Sequence, residues 1–310
     1  KTKSTTFDFK EGSVHDITIE YYQDDWGAGI YFEWGLPGAN MEAEALEVAR
    51  EADAIIFVGG LSPQLEGEEM EVDLSGFKGG DRTSIDLPEV QQEFLKKLHA
   101  LGKPVILVLM NGSALAINWA DEHVPAILEA WYPGQSGGTA IADVLFGDYN
   151  PAGRLPVTFY KGVDQLPPFT DYDMEGRTYR FFEGDVLYGF GHGLSYTQYT
   201  YSGLTVPATV TTGDSITVEL EVANTGNMAG DEVVQLYVKH LNAGYPVPLH
   251  ALKGFRRIYL KPGEKKLVKF MLRSSDLSVI SDRHEYVVMP GTLQVFVGGQ
   301  QPNNQALDEG

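Results

Sequence analysis

Three apolar runs, Ala54-Ile55-Ile56-Phe57-Val58, Pro104-Val105-Ile106-Leu107-Val108-Leu109 and Ala126-Ile127-Leu128-Glu129-Ala130-Trp131, each follow a stretch with the 3.6-residue period of a helix. Met41, Ala45, Leu46, Val48 and Ala49 stripe the first helix; Val90, Phe94, Leu95 and Leu98 stripe the second, which opens at Pro88; the third is expected over 114–121. Strands apolar at successive positions have both faces covered. Their alternation with helices predicts a largely parallel α/β sheet with flanking helices. In such a sheet the ligand-bearing loops lie beyond the carboxyl ends of the strands, so those opening at Gly59, Asn111 and Trp131 are expected to share one rim.

From about residue 203 the helical period gives way to short alternating strands at 215–223, 232–240, 266–272, 285–288 and 292–297, with turn chemistry at Asn224-Thr225-Gly226, Lys261-Pro262-Gly263 and Met289-Pro290-Gly291. This predicts a β-sandwich over 203–310. Residues 171–202, rich in Pro, Gly, Tyr and Asp, read as an ordered connector after an α/β domain at 37–170. At the other end, alternation within 7–34 reads as an N-terminal β-hairpin. Two strands alone are marginal in water, so this hairpin implies a chain that starts inside a further β module, spanning 1–36.

The chain carries 43 acidic and 23 basic residues, a formal charge of −20, which disfavours phosphate backbones and anionic membranes as partners. The absence of cysteine removes disulfides and thiolate chemistry, and no apolar stretch approaches the ~20 residues of a membrane span. The seven histidines are scattered without metal-ligand spacing, so neither a metal nor a cofactor is expected.

Two rim segments could hold chemistry. The loop after Gly59-Gly60 collects Glu66, Glu68, Glu69, Glu71, Asp73 and Asp81 before Arg82. Crowding and burial raise carboxyl pKa values, so this loop could supply a general acid, although a solvated acidic surface has the same composition. The second segment, Trp131-Tyr132-Pro133-Gly134-Gln135-Ser136-Gly137-Gly138, leads from a strand into a helix expected over 139–146. It lacks the spacing of phosphate-binding loops, and tight strand-to-helix packing explains its glycines.

Taken together, the stretch from Trp131 to Gly138, its continuation Ala140-Ile141-Ala142-Asp143-Val144-Leu145-Phe146-Gly147-Asp148-Tyr149-Asn150-Pro151 and Ala152-Gly153-Arg154-Leu155-Pro156, and Leu187-Tyr188-Gly189-Phe190-Gly191-His192-Gly193 resemble the C-terminal half of family-three glycoside hydrolases of the β-glucosidase and β-xylosidase type. The sandwich, with Val222-Ala223-Asn224-Thr225-Gly226 and Leu252-Lys253-Gly254-Phe255, resembles the fibronectin type III-like domain of these enzymes, and residues 1–36 resemble the end of an inserted protective-antigen-type module. The resemblance implies a secreted or periplasmic retaining exo-β-glycosidase acting on oligosaccharides, with an aspartate nucleophile on an N-terminal barrel that has no counterpart in this sequence. It also implies an acid/base glutamate on the acidic loop before Asp81-Arg82. The register favours Glu68, with Glu66 as the rival; Glu69 and Glu71 are expected to face solvent. A noncatalytic carbohydrate-binding or scaffolding fragment is the competing expectation, and a homodimer is compatible with the sequence.

Overall fold

The computed structural model describes residues 10, 12–20, 40–72 and 74–302, and the chain divides into two compact units, 1–52 and 53–310. In the first unit, α1 (Met41–Glu51) is capped by Asn40, whose side chain accepts from the Ala43 N–H at 3.0 Å. Glu42 and Glu44 in its first turn and Arg50 in its last complement the helix dipole. Of the expected hairpin, residues 12–20 are exposed and carry no strand, and its second run lies outside the described residues.

The second unit opens with β1 (Ile55–Gly60), followed by the small hairpin β2 (Phe77–Lys78) and β3 (Asp81–Arg82), α2 (Glu89–His99), β4 (Val105–Met110), α3 (Asn118–His123), β5 (Ala126–Glu129), α4 (Gly137–Leu145) and the short α5 (Thr178–Phe181). The sheet runs β1-β4-β5 with both pairings parallel, Ile55 opposite Val105 and Ile106 opposite Ala126, as the apolar runs predict. Val105, Leu107, Val108 and Leu109 of the central strand are fully buried. Phe94 of α2 meets Phe57 of β1 edge-on at 5.8 Å, and His99 of α2 meets Trp119 of α3 at 5.5 Å.

The third helix departs from expectation. Leu115, Ala116 and Ile117 are buried in an extended segment, tied by the Ala116 N–H to the Ile85 carbonyl at 2.8 Å and by a parallel bridge to Asp86. Helix therefore begins only at Asn118, because residues 115–117 bury their apolar side chains and satisfy their backbone through a distant segment instead of through helical bonds.

The remaining strands are β6 (Tyr199–Thr205), β7 (Ile216–Asn224), β8 (Gly230–His240), β9 (Ala251–Leu260), β10 (Lys265–Leu272), β11 (Val279–Ile280), β12 (Tyr286–Val287) and β13 (Leu293–Gly298). They form the antiparallel sheets β10-β7-β6 and β13-β8-β9 and the small β11-β12 pair. Val218, Leu220 and Val222 from one main sheet and Val234, Leu236 and Val238 from the other share a core with Phe270 and Leu260. Three of these strands escaped the sequence reading, among them the two-residue β11. β6 begins at Tyr199, within the stretch read as connector, and β9 hides its alternation behind Lys253, Arg256 and Arg257.

Buried polar groups bind the segment after α4 to the connector and the sandwich. The Asn150 side chain accepts from Ser195 Oγ and the Tyr196 N–H, both at 2.8 Å, and donates to the Ala229 carbonyl at 3.2 Å. Arg154 donates to Glu232 at 3.0 Å and to the Gly299 carbonyl at 3.1 Å, while Tyr201 donates to the second Glu232 oxygen at 2.8 Å. The ion pair retains only 9% and 4% side-chain exposure. Removing one partner strands the other charge out of water. Glu232→Ala is expected to cost about 3–5 kcal/mol in denaturant unfolding of the full-length protein. Loss of the exposed Lys265–Glu221 pair should cost under about 1 kcal/mol.

Candidate active site

The parallel sheet ends on a rim formed by the loops after β1, β4 and β5, as the apolar runs imply. At the end of β1, the Gln91 side chain accepts from the Gly60 N–H at 2.7 Å and donates to its carbonyl at 2.8 Å. Gly60 has φ +121°, and a Cβ there would lie 2.3 Å from the Met110 carbonyl oxygen, so only glycine lets the chain leave the sheet at this point. The Glu66 N–H then donates to the Ser62 carbonyl at 3.0 Å, closing a turn that places Glu66 over the neighbouring loops.

Glu66 and Glu68 meet different environments. Glu66 retains 17% side-chain exposure, whereas Glu68, Glu69 and Glu71 are exposed. The carboxylate of Glu66 accepts from the Ser113 hydroxyl and, at 3.3 Å, from the Gly112 N–H, both beyond β4; Tyr132, beyond β5, donates to it at 3.0 Å. A Cβ on Gly112 would lie 2.7 Å from the Tyr132 ring, so this approach of backbone, ring and carboxylate needs glycine. Arg82 lies 3.9 Å from Glu66 and donates to Ser113 Oγ at 3.3 Å, while its other nitrogens bind the Ser84 and Asp86 carbonyls at 2.8 and 3.1 Å.

Burial and the hydrogen bond to Glu66 push the Tyr132 hydroxyl up to about 12, so it keeps its proton throughout the neutral range. Serine and tyrosine hydroxyls can accept as well as donate. Around Glu66 they can therefore stay bonded whether the carboxyl is ionised or protonated, which suits a group that gives up and regains a proton.

Gly112 and Ser113 also line a cavity of about 620 Å³ with Ala114, Trp131, Pro156 and Val157, a size suited to a small ligand. The cavity therefore shares a wall with the residues that hold Glu66. Trp131 takes the left-handed backbone conformation, φ +54°, uncommon for a bulky residue. Behind the rim, Glu129 accepts from the Trp131 N–H at 3.0 Å and from the Asn111 amide at 3.2 Å. Burial raises its pKa to about 7 against the opposing pull of those two bonds. Sequence reading located the loops at Asn111 and Trp131 but gave no role to Gly112, Ser113, Tyr132 or Glu129; the signal for Glu129 was a lone charge inside an apolar run, and for the others only their place beyond such runs. No group of three or more His, Asp or Glu residues that could hold a metal occurs among the described residues, and no helix there is long and apolar enough to cross a membrane.

Residues 5–196 match the family described as Glycosyl hydrolase family 3 C-terminal domain, and residues 232–301 match the Fibronectin type III-like domain. A xylan 1,4-beta-xylosidase of Xylanibacter ruminicola is 43% identical over 95% of this chain and 34% of its own length. A periplasmic beta-glucosidase of Salmonella typhimurium is 39% identical over 82% of this chain and 34% of its own. Among solved structures, a β-glucosidase from Erythrobacter marinus is 37% identical with a TM-score of 0.75, covering 85% of this chain and 35% of that one. The chain thus spans about a third of the length of these relatives. Glu66→Ala should leave Tyr132, Ser113 and the Gly112 N–H short of an acceptor and destabilise the fold by about 1–3 kcal/mol. Glu68→Ala should stay within about 0.5 kcal/mol of wild type; urea unfolding of both variants checks the pair.

Proposed function

The chain belongs to glycosyl hydrolase family 3, and from that premise we propose that it is the acid/base-bearing part of a retaining exo-β-glycosidase of the β-glucosidase or β-xylosidase type. Glu66 serves as the proton donor in place of Glu68, the residue favoured by sequence register. One observation carries this choice. Of the glutamates on the acidic loop, Glu66 is held by donors from the ends of two neighbouring strands, and two of those donors, Gly112 and Ser113, line the cavity. A general acid works only when its proton is delivered at a fixed position, and an exposed side chain such as Glu68 has no such constraint.

In this reading a barrel aspartate attacks the anomeric carbon while Glu66 protonates the departing glycosidic oxygen. The ionised Glu66 then takes a proton from water as water attacks the glycosyl-enzyme. The cavity bounded by Trp131 and Val157 receives the departing sugar, whose apolar faces suit an aromatic wall. Residues 37–170 carry the acid, residues 171–202 connect it to the sandwich, and residues 203–310 buttress it. A periplasmic location accords with the Salmonella relative's name.

In the full-length enzyme, Glu66→Gln is expected to lower kcat on an unactivated disaccharide by about 10²–10⁴-fold, while an aryl glycoside with a good leaving group retains far more of its rate. Glu68→Gln should leave both substrates near wild type. The reverse pattern would restore Glu68 as the acid, and indifference to both substitutions would favour a noncatalytic carbohydrate-binding role.

A further inference from the structure

Behind Glu66 lies a second carboxyl that bonds to both arms that hold it. Glu129 ends β5. One of its oxygens accepts the N–H of Trp131, the residue forced into the left-handed region immediately before Tyr132. Its other oxygen accepts from the Asn111 amide, whose nitrogen also donates to the Ser113 carbonyl at 2.8 Å. One arm thus runs through Trp131 to the Tyr132 hydroxyl, and the other through Asn111 to Ser113 and Gly112. Both arms end on the Glu66 carboxylate.

We propose that Glu129 is a positioning residue for the Glu66 proton donor, and that its ionised form holds both arms in the working geometry. This rests on Glu66 being the acid. The left-handed backbone at Trp131 is disfavoured for a bulky side chain, so it persists only where its surroundings enforce it, and the Glu129 bond is one such enforcement.

Asn111 supplies the link to protonation. It is fully buried, and its Oδ1 has no hydrogen-bond partner. That orientation is favoured when the amide nitrogen can donate both to the Ser113 carbonyl and to an ionised Glu129. A protonated Glu129 would instead present a donor to that nitrogen, and reversing the amide would satisfy Oδ1 but release Ser113. The ionisable groups nearby, Glu66, Arg82 and Tyr132, form their own cluster, and the influences on Glu129 are burial, Trp131 and Asn111. Leu109 of β4 pairs opposite it and adds no charge. The shift lies in the range where enzymes work, near pH 7.

Glu129→Gln in the full-length enzyme tests the inference, with Glu66→Gln assayed in parallel. The amide keeps the shape of the acid but cannot ionise. Expected are a ten- to hundredfold fall in kcat on a disaccharide with KM little changed, and loss of the acidic-limb ionisation near 7 from the wild-type pH–rate profile. Stability supplies a readout independent of catalysis. The folded pKa of Glu129 is raised from 4.5 to about 7, so its contribution is intact below 4.5 and declines as pH rises through about 7. The variant should therefore lose less Tm than wild type across that window. Wild-type turnover, or an acidic limb unchanged in Glu129→Gln, overturns the inference. If Glu66→Gln also turns over disaccharide normally, the underlying assignment of the acid has failed instead. Should Glu129→Gln not fold, the wild-type profile decides: an acidic limb with no ionisation within about one unit of 7 overturns the inference.

Discussion

Parallel pairing of β1, β4 and β5 is the constraint on which the site depends. Strands running in one direction release their following loops at one edge, so residues from three distant parts of the chain must meet there. The pairing also satisfies the strand backbones within the protein, which permits the near-total burial of β4. The loops are then free to spend their polar groups on side chains, and Glu66 collects three of those donors.

The sandwich and connector give the rim a fixed base. Asn224 shows how a short motif becomes structural: its amide donates to the Met228 and Leu260 carbonyls at 2.8 and 3.1 Å, while its Oδ1 accepts from Thr197 at 2.7 Å and the Gly226 N–H at 3.1 Å. Every hydrogen-bonding position of that side chain is used, so the turn after β7 has little freedom. Asn150 and Arg154 extend the same logic, fastening the segment that follows α4 to the connector and the sandwich through several hydrogen bonds each. Pro156 and Val157, beside these anchors, line the cavity, so the anchoring reaches the candidate site through consecutive residues.

Not every buried group is so well satisfied. Trp131 takes a disfavoured backbone, Asn111 leaves one amide oxygen without a partner, and Glu129 resists ionisation, all within one hydrogen-bonded set behind Glu66. Asn224, by contrast, is fully bonded. Unpartnered groups occur elsewhere too, as at His250 and Tyr199, but here strain, an unpartnered amide and a raised carboxyl pKa meet in one hydrogen-bonded set behind the rim, the pattern of a site selected for something other than stability.

The apolar runs and their helical spacers determined the parallel sheet, its rim and the change to a sandwich, because burial on both faces or on alternate positions leaves a direct trace in residue order. The breaks in that trace came where side chains answer to distant partners, as at residues 115–117, which pair with the segment at Ile85 instead of starting a helix. The acidic loop was legible as a place but not as a residue. Glu66 and Glu68 stand two positions apart on one irregular segment, with no periodicity to give them faces. Only the tertiary structure separated them, since the hydroxyls that fix Glu66 lie 47 and 66 positions away and reach it because the ends of β4 and β5 share its rim.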